Sequence, residues 1–152
     1  MMPMRVRTAL WGLATCGATI LSITLWPTPV DRGVNGVLRD IFDVLHAHGV
    51  MPWFGYTELE RLANVVMFVP VGFFLALLLP GAWRWLALLL TPAASAIIET
   101  TQLLVLPQRF ATLADVVANS LGGWIGVGFA ALLMQLLHAR DRERASALRR
   151  KA

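Results

Sequence analysis

The chain has 152 residues, 57% of them hydrophobic and 14% charged, with a formal net charge of +4 and a mean hydropathy of +0.66. Soluble domains carry about 25% charged residues, so this composition excludes a water-facing fold of this size. A lone cysteine, Cys16, leaves no internal disulfide.

Apolar runs of roughly 18 residues or more read as membrane spans. Four are present, at residues 8–26, 62–79, 83–106 and 113–137. The expectation is an all-α membrane protein: one domain over 1–152, a bundle of four transmembrane helices with a short amphipathic helix outside. Arg5 and Arg7 precede the first run, and Arg140, Arg142, Arg144, Arg149, Arg150 and Lys151 follow the fourth. The positive-inside rule then places both termini in the cytoplasm. Residues 138–152 read as a basic cytoplasmic tail beside anionic headgroups rather than a nucleic-acid site. The first run lacks a small-x-small cleavage site, so it reads as an uncleaved helix with Cys16 as a small packing residue.

Between the first two runs, Val34, Val37, Leu38, Ile41, Phe42 and Leu45 recur at helical spacing. This predicts a short helix lying flat on the outer surface, ended by Gly49 and followed by an interfacial belt of Trp53, Phe54 and Tyr56. His46 and His48 lack further ligands at suitable spacing, so no metal or cofactor is expected. Thr57-Glu58-Leu59-Glu60 has the form of a capping box, which starts the second helix there. Pro70 and Pro92 fall inside spans and each frees a backbone carbonyl that a neighbouring helix can satisfy. Ala118, Gly122, Gly126 and Ala130 form a small-residue stripe suited to close helix approach, within the chain or to a second copy through Gly122 and Gly126.

A few polar residues interrupt this apolar sequence. Arg61 and Asn64 are three apart, Glu99 and Gln102 three apart, and Asp115 and Asn119 four apart, so each pair shares a helix face. Ser95 lies on the face of Glu99. With alternating span directions, all of these groups fall at the outer ends of their helices, and Arg109 sits in the turn between. At 1.5 Å rise per residue, Glu99 is roughly 10 Å inward of Leu106. Ionisable groups at such depth need partners or a purpose. One expectation is a connected network of Arg61, Glu99, Arg109 and Asp115 completed by the amides. The other is a site for a polar headgroup, with the arginines gripping phosphate.

The sequence Asn64-Val-Val-Met-Phe68-Val-Pro70-Val-Gly72, then Ser95-x-x-x-Glu99-x-x-Gln102, then Arg109, then Asp115-x-x-x-Asn119-x-x-Gly122-x-x-x-Gly126, resembles the VanZ-like family across residues 57–130. Thr112 departs from the pattern, since many members carry an acid there. The resemblance implies a small bacterial multi-pass membrane protein of the envelope, related to a teicoplanin-resistance protein and without an assigned reaction. The leading expectation is a binding or accessory role toward an envelope lipid or glycan precursor, with membrane lipid as partner and Arg61, Asn64, Glu99, Gln102, Arg109, Asp115 and Asn119 as the binding set. The runner-up is an enzyme acting on a lipid or polyprenyl-phosphate headgroup, with Glu99 or Asp115 as general base. The third is a scaffold of an envelope or polysaccharide-export complex.

Overall fold

The computed structural model describes residues 3–26, 33–106 and 112–149. Among them the chain is all-helical: α1 (Met4–Thr24), α2 (Asn35–Ala47), α3 (Tyr56–Leu78), a 3-10 helix (Gly81–Leu86), α4 (Ala87–Val105) and α5 (Leu113–Arg149). Four stretches are long and apolar enough to cross a membrane: α1, α3, the 3-10 helix continuing into α4, and α5. The protein is therefore a multi-pass helical bundle.

The solvent of the bundle is legible in which side chains it hides. The buried residues of α4 are Ala87, Thr91, Ser95, Glu99 and Gln102. Its exposed face carries Leu88, Leu89, Leu90, Ile97, Leu103, Leu104 and Val105. Polar groups inside and leucines outside would be unstable in water, but hydrocarbon reverses the preference.

α3 is the central helix, packing closely on α5 and also touching α1 and α4. Small residues set the closeness of the α3–α5 crossing. A Cβ added at Gly122 would meet the backbone carbonyl of Val65, one at Gly126 that of Val69, and one at Gly72 that of Gly123. The small-residue stripe is thus occupied within the chain. At the end of the bundle nearest the chain termini, Ala9, Ala76, Leu77, Ala87, Ala130 and Met134 form an apolar core. The opposite end, called distal below, holds the last turns of α1 and α4 and the first turns of α3 and α5.

Several boundaries differ from expectation for local reasons. The second helix begins at Tyr56, with Gly55 as its cap residue. Glu58, rather than Glu60, closes the turn, accepting a hydrogen bond from Gly55 N–H at 3.0 Å. The third span opens with a 3-10 turn, which presents Trp83 and Trp85 outward. α5 does not stop at residue 137 but runs on to Arg149. Residues 138–149 contain Ala, Arg, Glu and Leu without Gly or Pro, so nothing ends the helix. Its 37 residues span about 55 Å at 1.5 Å per residue, against a hydrocarbon layer of about 30 Å. The arginine-bearing end therefore projects beyond the bilayer as a helix.

Pro92 shows how the bundle repairs its own breaks. Proline lacks the N–H that would bond the carbonyl four residues earlier. That carbonyl belongs to Leu88, and Trp124 of α5 donates its indole N–H to it at 2.9 Å.

α2 packs against α3. Phe42 meets the ring of Phe54 at 5.9 Å, and His46 Nε2 lies 3.1 Å from the Phe54 carbonyl. Arg39 sits 5.1 Å over the ring of Tyr56. Val37, Ile41 and Val44 are exposed on the other face, as an interfacial helix requires. Gly49 adopts φ +71°, and Met51 a positive φ as well, which reverses the chain toward α3.

Candidate functional site

A cavity of about 360 Å³ opens among the distal helix ends. α3 contributes Arg61 and Asn64 to its wall, α4 contributes Glu99 and Gln102, and α5 contributes Asp115 and Asn119. All six of the candidate residues that the structure describes therefore converge on one space. Arg109, the seventh, lies outside the described residues. Thr24, Thr57, Glu60 and Thr112 also line the cavity and are not among the candidate site residues of the sequence.

Each polar group has a local reason for its position. Thr112 caps α5: its hydroxyl accepts the Asp115 N–H at 3.2 Å, while Asp115 Oδ2 accepts the Thr112 N–H at 3.2 Å and its hydroxyl at 2.7 Å. This is a reciprocal capping box. The other Asp115 oxygen, Oδ1, accepts Asn64 Nδ2 at 3.0 Å and so ties α3 to α5. Both oxygens of Asp115 are held by donors, in the first turn of a helix whose dipole favours an anion there. These bonds fix the orientation of the Asp115 carboxylate at the start of α5. Glu99 is 9% exposed and stands on the cavity wall.

Gln102 reaches across to α1, donating Nε2 to the Thr24 carbonyl at 2.7 Å. Carbonyls at a helix C-terminus have no intrahelical donor, so this bond both anchors α1 and satisfies one of them. Asn119, 3% exposed, donates Nδ2 to Ser95 Oγ at 2.9 Å. Its Oδ1 is buried and has no hydrogen-bond partner among the described residues. If the amide is turned over, the same bond forms with Ser95 as donor and the NH2 is left unpaired. Either way one polar end of Asn119 lacks a partner at the cavity, and an unmade buried bond costs about 1–3 kcal/mol.

Of the expected ionic network, the described residues show the surroundings of Arg61 and Asp115. Arg61 pairs with Glu58 of its own helix at 3.5 Å, at a half-exposed position. Three residues apart on the outer turn, these two meet without crossing the bundle. Asp115 is satisfied by amide and hydroxyl donors supplied by its own cap and by Asn64. At this end Asn64 to Asp115 joins α3 to α5, Asn119 to Ser95 joins α5 to α4, and Gln102 to the Thr24 carbonyl joins α4 to α1, around the cavity.

The VanZ/LLP1 family pattern matches residues 14–134. The chain belongs to the VanZ/LLP1 family. The match takes in the second half of α1, which the motifs at 57–130 leave out, and that half supplies the Thr24 carbonyl that Gln102 grips. No curated protein and no solved structure matches the chain.

Proposed function

We propose that this VanZ-like protein sits in the bacterial inner membrane with both termini cytoplasmic. Its distal cavity then faces the outer leaflet and binds the polar head of an envelope lipid or lipid-linked glycan precursor. The observation that carries this reading is a cavity walled by polar groups from three spans, with a buried, half-satisfied Asn119 on its wall. A scaffold would leave no open polar space beyond the bonds that join the helices, because open polar surface at this depth is costly. Asn64, Gln102 and Asn119 offer the amide donors and acceptors that hydroxyl-rich heads require, and Arg61 offers a cation for phosphate. Sequestering a wall precursor would also link the protein to teicoplanin tolerance.

The test is extraction of lipids from protein purified in mild detergent. Wild type retains a defined polar or polyprenyl lipid, and Glu99→Gln and Asn64→Ala retain less of it while melting normally. Bulk membrane lipid alone, unchanged by both substitutions, would sink the proposal. Orientation is tested by cysteines at Val50 and Ala145 in a Cys16→Ser background. An impermeant maleimide should label intact cells at Val50 and leave Ala145 unlabelled.

A further inference from the structure

Beside the polar cavity lies a second, larger space of about 660 Å³, whose wall is almost entirely apolar. It runs between the first turns of α3 and α5, lined by Leu62, Val65, Val117 and Leu121, with Trp53 and Phe54 over its distal end. From Leu113 to Leu121 it covers roughly 12 Å along the helix axis at 1.5 Å per residue. The groove and the polar cavity share two wall residues, Arg61 and Ala114. Arg61 is half exposed and pairs at 3.5 Å with Glu58, which also lines the groove, so an ion pair stands at the threshold between a polar space and an apolar one. Ala114 keeps that threshold low.

We propose that cavity and groove form one bipartite site for an anionic phospholipid with a hydroxyl-bearing head. The phosphate lies at Arg61, the hydroxyls enter the polar cavity, and the upper part of one acyl chain lies in the groove under Trp53 and Phe54. The inference rests on the headgroup reading above and adds the tail site and the class of lipid. Three features carry it: the shared wall, Arg61 as the cation at the junction with the carboxylates of Glu58, Glu60, Glu99 and Asp115 around it to accept head hydroxyls, and the position of the groove on spans that meet hydrocarbon. A guanidinium is matched to phosphate in charge and geometry. A chain in the groove gains contact on both walls that it would lack on a flat helix face.

The experiment uses the full chain in phosphatidylcholine vesicles doped with phosphatidylglycerol that carries a diazirine on one acyl chain. Cross-linked positions are read by mass spectrometry. Phe129 and Leu132 on α5 are exposed to a degree similar to Val117 and Leu62 and serve as internal controls. Labelling should be several-fold higher at Leu62, Val117 and Leu121 than at the controls, and excess unlabelled phosphatidylglycerol should compete it away. Chain-labelled phosphatidylcholine should show no such preference. Val117→Trp fills the groove from a lipid-facing position and should abolish the enrichment; Leu62→Trp provides a second such filler. Arg61→Ala should reduce it by loosening the phosphate. Uniform labelling overturns the proposal. Enrichment that is equal for both lipids and indifferent to Arg61→Ala overturns it as well, because the groove would then take any chain. Enrichment that survives Glu99→Gln, while that variant leaves the lipid retained on purification unchanged, upholds the tail site and fails the headgroup reading.

Discussion

The α3–α5 pair is built in two chemistries along its length. In its middle, backbones touch through Gly72, Gly122, Gly123 and Gly126, with no room for a side chain. At its distal end the same two helices are joined by a hydrogen bond from Asn64 to Asp115, beside an open cavity. Lipid tails supply no hydrophobic drive for helices to associate, so close packing has to hold the bundle. The glycine seam does that, and the distal end is released from the task. Polar groups can then stand around a space without the fold depending on its closure.

The largest break in this comparison comes from the seam. Gly122→Leu should unfold the protein or lower its melting temperature severely, because the new side chain meets the Val65 backbone rather than a movable side chain. Overpacking usually costs about 1–3 kcal/mol, and backbone displacement belongs at or above the top of that range. Gly128, four turns into the same helix region, has nothing within 4 Å of an added Cβ. Gly128→Leu should melt like wild type, and equal damage at both sites would show that α5 tolerates no added bulk on any face.

A smaller effect on stability and a larger one on binding are expected in the cavity. Asn119→Ala removes the bond to Ser95 and also the unpaired amide end. Hydrogen bonds between membrane helices average about 0.6 kcal/mol by mutant cycles, so the melting shift should be slight while lipid retention falls. A large loss of stability with unchanged lipid would assign Asn119 to the scaffold.

The cap of α5 comes next. Thr112→Ala should cost about 1 kcal/mol, the usual value of an N-cap hydroxyl, and Thr112→Ser should restore most of it. This pair was legible in the sequence as Thr112-Leu-Ala-Asp115, yet the box was read at Thr57-Glu58-Leu59-Glu60 instead. Thr112 stood out only as a departure from the family pattern, though the hydroxyl there makes the cap that fixes Asp115. The four spans were readable because hydrocarbon demands about 20 apolar residues for each crossing. The polar pairs were readable because helix phase fixes which residues share a face. Thr91 was missed, although it continues the buried stripe of Ser95, Glu99 and Gln102 one turn further. The partners themselves were not readable. That Arg61 meets Glu58, or that Gln102 crosses to Thr24, depends on rotamers and on helix ends that spacing does not specify.

Trp124 gives the smallest and most specific test. It lies on α5 next to the glycine seam, half-exposed, and its indole N–H reaches the Leu88 carbonyl that Pro92 leaves without a donor. Trp124→Phe keeps an aromatic ring toward lipid and deletes that single bond, so the loss should be near the 0.6 kcal/mol average for such bonds, at about that size or slightly above. Pro92→Ala restores the N–H on α4 itself, which makes the indole donor redundant. The double variant should therefore melt as the Pro92→Ala single variant does, and the two changes should not add. Strict additivity would mean that the indole acts through packing alone. Non-additivity would show that a proline inside α4 and a tryptophan on α5 form one repaired helix break, level with the glycine seam.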